Sequence, residues 1–448
     1  MSTFSIGVAA AAGMTALAGG VLAQSDAAHG PSGLTPAERA AGWKDYTGED
    51  ATTKWRGYKQ AAFPSKGWTF ENGTLSIGRG SGGGNIVTVE QFTDVEMDFW
   101  FKMGEKANSG IMFRVAETGG EPYATGPEFQ LLDDAGFGSA ATSKQSCGAL
   151  YDLYAPAEHK SLKPAGEWNQ GRIRLRSGVL THWINGGRIV EARLFNDDGT
   201  PSQEWAGKIA ASKFKDWKGF GVLPTGHLAV QDHGDTELAL HGVKIRDLAK
   251  PMPGEKVLFN GKDTAGWTAF AGDAGGLGEG AMKAIAQVRD GVLVIKGQPI
   301  GYLRTTEKYT NFVLRLQWRF DASKGAGNSG VLVRMVGEDK VWPKSVEAQL
   351  QSGSAGDFWN IDNVVMTTDP ERTRGRNTKK VATPYPTERP IGEWNEYEII
   401  VDGGTVILNV NGEELNRATG VAVVPGYICL QSEGAEIHFR NIRLVPLD

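Results

Sequence analysis

The sequence has very few cysteines, few histidines and no excess of either charge. Cys147 and Cys429 are the only cysteines among 448 residues, too few for a disulfide framework or a thiolate metal site. Cys429 lies in the apolar run "YICLQ" and is expected to be a buried free thiol. The seven histidines show no zinc-type spacing. The sequence therefore predicts no cofactor, although scattered carboxylates leave a divalent metal open. The net charge of −5 excludes nucleic acid as the main partner, because phosphate binding needs a concentrated basic face.

Long apolar runs are also absent beyond the amino terminus. No later stretch approaches the roughly 20 apolar residues that span a bilayer, so no membrane span is predicted. The first 38 residues hold no Lys or Arg, and Val21-Leu22-Ala23 before Gln24 resembles a small-residue cleavage site. We therefore predict a signal peptide over 1–23, a leader over 24–37 and export to the periplasm or the exterior. A disordered Ala/Gly leader is the alternative, since the positive start of a signal peptide is missing.

What the chain does contain is the same series of landmarks twice. The string "NSGIMFRV" at 108 has a counterpart in "NSGVLVRM" at 328. The string "GPEFQLLDD" at 126 has a counterpart in "SVEAQLQSG" at 345. Further along, "PAGEWNQGRIRLRSG" at 164 matches "PIGEWNEYEIIVDGG" at 390. Between the two series, "AKPMPGEK" has the prolines and glycine of a linker. Repeats of this length are whole domains, which we place at 38–249 and 257–448 with a linker at 250–256.

Within each half the hydrophobic periodicity is two, which indicates strands with one buried and one polar face. In "RIRLR", for example, Ile173 and Leu175 alternate with arginines. The Asn-Gly pairs at 185 and 411 lie between strand-like runs and predict tight hairpins. Helix is predicted only near 35–42 and at a turn near 212–217. Each half is therefore expected to be all-β, and many short antiparallel strands favour a two-sheet sandwich or jelly roll.

The alternation of apolar and polar residues along a strand also predicts which polar side chains point away from the core. On the strand that follows Asn108, Ile111, Phe113 and Val115 should face the core and Arg114 should face out. Glu128 and Gln130 should share the outward face of the next strand.

The second half repeats this trio as Arg334, Glu347 and Gln349, with Trp342 and Trp359 nearby. A guanidinium, a carboxyl and an amide that converge suit a polyhydroxylated ligand. The alternative is an Arg–Glu cross-strand pair on a solvated face, which contributes little.

These strings identify a resemblance to a known family. "NSGIMFRV", "GPEFQLLDD", "LYDLYAP", "PAGEWN", "HWINGG" and "VQDHG…GVKIRDL" resemble the 3-keto-disaccharide hydrolase family, formerly a domain of unknown function. "KVLFNGKDTAGW", "GNSGVLVRM", "VEAQLQSGSAGDFW" and "LQSEG…FRNIRL" of the second half are similar to the same family. Together they cover about residues 40–448. The resemblance implies two tandem concanavalin-like β-sandwiches that act on glycosides whose sugar carries a ketone at carbon 3.

The chemistry of such a substrate can be argued from the ketone. It acidifies the hydrogen at carbon 2, so a base can form an enolate that expels the glycosidic oxygen from carbon 1. Water adds afterwards, and the sum is hydrolysis. This route needs a base, an enolate stabiliser and an acid for the leaving group, rather than the two flanking carboxylates of most glycosidases.

Residue chemistry and the resemblance together suggest roles in the first half. Glu128 would be the base or a ligand of a substrate hydroxyl, Arg114 would hold the enolate oxygen, and Gln130 would orient a hydroxyl. His233 in "QDHG" or Asp133 in "DDAG" would donate the proton. The alternatives are an exposed loop histidine and an ordinary turn-forming aspartate.

The second half departs from this pattern, because Glu433 stands where the first half has His233. Arg334, Glu347, Gln349, Trp342 and Glu433 are predicted to bind sugar, with or without related chemistry. Two functions stay open for the chain. One is an exported enzyme that cleaves 3-keto-glycosides and partners a sugar 3-dehydrogenase, and the other is a non-catalytic, lectin-like carbohydrate-binding protein.

Overall fold

The computed structural model describes residues 33–273 and 276–447. The predicted signal peptide at 1–23 and most of the predicted leader lie outside the described residues. Among the helices of the described part, none is long and apolar enough to cross a membrane. The helices are all short: α1 (Pro36–Ala40), α2 (Ala51–Lys54), α3 (Gln203–Ala210) and α4 (Glu279–Ile285), with one 3₁₀ turn at Pro122–Ala124.

The first domain is built from thirteen strands. They are β1 (Lys44–Asp45), β2 (Trp55–Gly57), β3 (Trp68–Glu71), β4 (Thr74–Ile77), β5 (Ile86–Thr88), β6 (Val95–Met103), β7 (Asn108–Val115), β8 (Glu128–Leu132), β9 (Asn169–Arg176), β10 (Val179–Ile184), β11 (Gly187–Arg193), β12 (His227–Val230) and β13 (Leu238–Asp247).

The second domain repeats this order and adds short strands at one edge. Its strands are β14 (Lys256–Val257), β15 (Trp267–Ala271), β16 (Gly276–Leu277), β17 (Ala286–Arg289), β18 (Val292–Ile295), β19 (Gly301–Thr305), β20 (Phe312–Phe320), β21 (Gly330–Val336), β22 (Lys344–Gln349), β23 (Phe358–Ile361), β24 (Thr373–Arg374), β25 (Asn377–Thr378), β26 (Asn395–Asp402), β27 (Thr405–Val410), β28 (Glu413–Ala418), β29 (Tyr427–Ser432) and β30 (Ile437–Pro446).

Each domain is a sandwich of two antiparallel sheets. In the first domain, the back sheet has the order β11-β10-β9-β6-β13-β4-β3 with β1 on β13, and the front sheet has the order β2-β5-β12-β7-β8. The second domain has the same back-sheet order, β28-β27-β26-β20-β30-β18-β17 with β14 on β30. Its front sheet runs β16-β15-β19-β29-β21-β22-β23-β25-β24. The predicted all-β, tandem-sandwich fold is confirmed, and the repeat extends to strand order.

The cores form as the alternation predicts. Inward residues such as Phe99, Phe101 and Phe129 pack between the sheets of the first domain with ring centroids 5.8–5.9 Å apart. Asn185 and Gly186 both have positive φ, at 49° and 81°, so they make the predicted two-residue hairpin between β10 and β11. Both cysteines are buried and free, as expected for Cys429. Helices α3 and α4 were not predicted.

A β-bulge overturns one part of the alternation. Met112 pairs with Ala229 and Val115 with His227, so two residues of β7 lie opposite one residue of β12. Arg114 takes the left-handed conformation at φ 53° within this bulge. Val115 therefore packs on the outer face beside Met112 and not in the core. The second copy has the same bulge, with Arg334 at φ 55° and Met335 on the outer face.

The two domains differ most in one connection on the front side. Residues 194–226 join β11 to β12 in the first domain, whereas residues 419–426 alone join β28 to β29 in the second. The longer connection contains α3, whose Ser202 caps the helix by accepting from the Trp205 N–H at 3.1 Å. It continues through an aromatic loop at 211–223 that folds over the front sheet. The first domain therefore has a wall that the second domain lacks.

The back sheets of the two domains face each other across a layer of buried charge. Arg246 on β13 donates to Glu96 at 2.8 Å and to Glu398 of the second domain at 2.7 Å. Arg174 on β9 reaches across to Glu396. Although burial alone would raise the pKa of Glu396, the surrounding guanidinium groups lower it to about 2. The polar face of β9 is thus an interdomain contact and not a solvated surface.

Candidate functional site

A cavity of about 250 Å³ lies on the outer face of the first domain's front sheet. Strands β7 and β8 and the segment that follows β12 form its floor, and the aromatic loop at 211–223 forms a wall. Its lining combines amides, titratable groups and aromatic rings: Asn108, Tyr123, Gly126, Glu128, Gln130, Tyr151, Lys213, Phe214, Trp217, Phe220, Gln231 and His233. Such a mixture fits a small polar ligand with flat apolar faces.

Glu128 begins β8 on the floor of this cavity. It pairs with Met112, which places its side chain above β7. A Cβ atom at Gly110 would lie 1.8 Å from Glu128 Oε1, so glycine at 110 leaves the space that the carboxyl occupies. Burial raises the pKa of Glu128 to about 8, Asp152 adds to the rise, and the Lys213 charge opposes it. A carboxyl with this pKa exchanges its proton near neutral pH, as a general base or acid must.

The Asn-Ser-Gly sequence at the start of the corresponding strands in both halves now has a physical reason. Asn108 lies at the mouth of the cavity. The Ser109 hydroxyl points inward and donates to Gln231 O at 2.8 Å, which ties β7 to β12. Gly110 makes room for Glu128. In the orientation that satisfies both of its polar atoms, the buried Gln130 amide donates to Glu128 Oε1 at 3.0 Å.

Lys213 brings the cavity a positive charge from the aromatic loop. Its Nζ lies 2.5 Å from Asp152 Oδ2 and 4.3 Å from the centre of the Tyr151 ring. Burial alone would lower the pKa of Lys213, but the bonds to Asp152 and Tyr151 raise it above its ordinary value. The ammonium group therefore stays charged beside Glu128.

His233 also lines the cavity, at the end of the segment that follows β12. Its side chain is 50% exposed, and Nδ1 lies 2.9 Å from Asp235 Oδ1. A histidine held by a carboxylate can pass a proton between solvent and a bound ligand. Of the four residues predicted as catalytic, the structure brings Glu128 and His233 together.

Arg114 and Asp133 lie elsewhere, and the prediction that they join Glu128 is wrong. The bulge turns Arg114 away from the outer face, so that its guanidinium stacks 4.0 Å from the Phe195 ring centre and donates to the carbonyls of Thr93 and Leu223. Asp133 accepts from the Lys106 N–H at 2.8 Å, as a turn-forming aspartate does. It lines a different cavity, beside the Asp134–Lys160 ion pair.

The second domain keeps the floor of the site. A Cβ atom at Gly330 would lie 2.4 Å from Glu347 Oε1 and 2.3 Å from Gln431 Oε1, so these two side chains converge above the glycine. Burial raises the pKa of Glu347 to about 8, and the neighbouring Glu433 adds to the rise. Burial also raises the pKa of Glu433, which contacts Asn328. This copy therefore has two carboxyls where the first domain has Glu128 and His233.

Three other residues predicted to bind sugar have different surroundings. Arg334, like Arg114, is turned by the bulge and donates to Ala422 O, Gly403 O and Asn311 Oδ1, so its prediction as an outward ligand is wrong.

The Gln349 Oε1 atom accepts from the N–H groups of Leu350 and Gln351, each at 2.8 Å. Trp342 is 41% exposed in the loop between β21 and β22, and its role stays a prediction. Trp359 lies directly opposite Glu347 on the adjacent strand.

Five further residues line the first site, and the sequence analysis predicted a role for none of them: Lys213, Tyr151, Tyr123, Trp217 and Gln231. Gln231 could have been found, because "VQDHG" and "LQSEG" place a glutamine two residues before His233 and Glu433. Tyr151 lies in the quoted "LYDLYAP" string. Lys213 and Trp217 carry no repeat signal, since their loop has no counterpart in the second half.

One group of side chains within the described residues could hold a metal ion. Ligand atoms of Asp321, Glu436 and His438 lie within 4.8 Å of one another. Arg289 donates to Glu436 at 2.8 Å and lies 3.3 Å from His438, so a cation already offsets part of the negative charge of the group. These surroundings do not favour a divalent metal there.

The fold and the polar clefts define a tandem β-sandwich protein, and its similarity to known proteins places it in the carbohydrate-hydrolase class. The chain belongs to the family of 3-keto-α-glucoside-1,2-lyase-like domains, whose model matches residues 42–249 and again 254–445. A 3-keto-disaccharide hydrolase of Bacteroides thetaiotaomicron is 31% identical in an alignment of 211 residues, and the match covers 40% of this chain and 70% of that protein.

Solved structures are similar to one domain at a time. A chain from Parabacteroides distasonis, described provisionally as a glycosyl hydrolase, is 30% identical with a TM-score of 0.42, and the match covers 48% of this chain and 99% of that one. A second such chain from the same organism is 23% identical with a TM-score of 0.35, covering 46% and 99%.

Proposed function

We propose that the first domain cleaves glycosides whose sugar carries a ketone at carbon 3, by elimination and then addition of water. The observation that carries this proposal is Glu128, a carboxyl with a pKa of about 8 on the floor of a cavity that also holds Lys213 and His233. An oxocarbenium route would need a pair of carboxyls flanking the bond. The first cavity instead offers one carboxyl, one ammonium group and one imidazole.

Each group has a role that its position supports. The Glu128 carboxylate takes the proton from carbon 2, and the electron pair of that bond forms the enolate across carbons 2 and 3. The Lys213 ammonium group stabilises the enolate oxygen, the role that sequence reasoning gave to Arg114. As the enolate collapses, the bond between carbon 1 and the glycosidic oxygen breaks, and His233 protonates the departing oxygen.

Water then completes the reaction. Its hydroxyl adds to carbon 1 and a proton returns to carbon 2, so the products are a free 3-keto sugar and an alcohol. The amides of Gln130 and Gln231 can donate to and accept from the remaining sugar hydroxyls. The substrate must be produced by oxidation of the sugar's 3-hydroxyl to a ketone. A sugar 3-dehydrogenase carries out this oxidation.

The test uses a 3-keto-disaccharide and its unoxidised parent in deuterated water. Cleavage of the ketone alone, with one deuterium at carbon 2 of the released sugar, is the expected result, and Glu128→Gln should abolish it. The released 3-keto sugar incubated without protein controls for spontaneous exchange. Cleavage without deuterium at carbon 2 would refute elimination, and saturable binding without product would favour a carbohydrate-binding protein.

A further inference from the structure

A second groove, of about 700 Å³, adjoins the catalytic cavity of the first domain. The two share Tyr123 and Trp217, so these two side chains form a partition that contacts both spaces. Beyond the partition the groove is lined by Ala124, Leu223, several glycines and two threonines, with the exposed Glu121 and Lys218 as its charged residues. Its chemistry is thus mainly apolar, in contrast to the polar floor beside Glu128.

The partition is held in place by its neighbours. The Tyr123 and Trp217 rings lie 5.9 Å apart at 42°. Trp217 also makes edge contacts with Phe214 at 5.0 Å and with Phe220 at 5.9 Å. Tyr123 is carried by the 3₁₀ turn at Pro122–Ala124. A rigid aromatic pair offers flat apolar contact without the cost of ordering flexible side chains.

The reaction places a requirement on the space beside the cavity. The sugar ring must lie over Glu128, Lys213 and His233, because all of the bond changes occur at carbons 1, 2 and 3. The leaving group is attached at carbon 1 and takes part in none of the other steps. It must therefore extend out of the polar cavity, and a neighbouring groove that shares a wall with the cavity can receive it.

We propose that this groove binds the leaving group of the glycoside and that it selects an aromatic or similarly flat, apolar aglycone. The inference rests on the proposed function and names the substrate class of the same site. Trp217 and Leu223 of the groove come from residues 194–226, which have no counterpart in the second domain, so this selectivity belongs to the first domain alone.

The experiment compares benzyl and methyl 3-keto-glucosides of one anomeric configuration, since benzyl alcohol and methanol are leaving groups of similar basicity. The full chain should show kcat/KM at least about tenfold higher for the benzyl glycoside, as expected for an apolar group in a matching pocket. Leu223→Asn, which makes the groove polar while keeping the number and branching of the side-chain non-hydrogen atoms, should lower this ratio several-fold. The neighbouring Val222 is exposed and does not line the groove, so Val222→Asn is the matched control and should keep the ratio.

Each outcome decides between the two proposals. If the wild-type chain cleaves neither glycoside, the proposed function fails and the groove proposal fails with it. If it cleaves both equally well, or if the two variants change the ratio alike, the groove proposal alone is overturned. If the Leu223→Asn variant does not fold, a second measurement takes its place, in which benzyl alcohol or methanol is added as an inhibitor while the wild-type chain cleaves the methyl glycoside. Benzyl alcohol should compete with substrate far more strongly than methanol, and equal inhibition would overturn the groove proposal.

Discussion

The pKa of Glu128 leads to a quantitative prediction for the proton-transfer step. With a pKa of about 8, the carboxyl is ionised in about one molecule in ten at pH 7 and in about nine of ten at pH 9. If Glu128 is the base at carbon 2, the rate of proton abstraction should rise about tenfold across this range. A falling rate over the same range would show that Glu128 acts as an acid.

The assay isolates this step from departure of the leaving group. A 3-keto sugar that has hydrogen in place of the substituent at carbon 1 can exchange its carbon 2 proton with deuterated water but cannot eliminate. Glu128→Gln gives the background exchange catalysed by hydroxide. Lys213→Met should move the midpoint of the rise to higher pH, because the Lys213 charge lowers the pKa of Glu128, whereas Lys215→Met on the exposed side of the loop should not. A rate that is flat with pH would refute the reasoning.

Three further predictions concern other positions. Glu347→Gln should leave the rate of cleavage near that of the wild type, whereas Glu128→Gln should lower it at least about a hundredfold. Equal losses of cleavage rate in the two variants would place catalysis in both domains. Arg114→Met should lower the free energy of unfolding by about 1–3 kcal/mol in denaturant melts, because two partly buried carbonyls lose their donor. An unchanged melt would contradict a structural role. Gly110→Ala should abolish cleavage by displacing the Glu128 carboxyl. The control is Gly207→Ala in α3, which should stabilise the fold by about 0.5–1 kcal/mol and keep the rate of cleavage.

The architecture could be predicted because it depends on patterns that each strand carries by itself. Alternation along "SVEAQLQ" and the Asn-Gly turns specify strands and hairpins, and the repeated landmarks specify two copies of one fold. Glu128, Gln130 and Glu347 were placed on outward faces for the same reason, since their strand β8 or β22 keeps its alternation up to these positions.

The arginines could not be placed, because a bulge depends on how two strands pair. Nothing in "NSGIMFRV" distinguishes a regular strand from one with an extra residue at Arg114, yet the bulge transfers Val115 to the outer face. The wall of the cavity was missed for another reason: Lys213 and Trp217 reach the site through the path of a long connection. The same limit applies to "RIRLR", whose polar face contacts a domain that lies more than 200 residues further along the chain.

The layer of paired charge between the domains has a consequence for how such a protein can be divided. Arg174, Arg246, Glu396 and Glu398 are buried, and both arginines contact glutamates of the other domain. Severing the chain near Pro251 and separating the halves would expose these charges, which water solvates readily, together with a small apolar cluster that includes Ala41, Met252 and Val313. Arg246 is shared by Glu96 and Glu398, and Arg174 by Glu96 and Glu396, so these ion pairs join the two domains in one mutual orientation.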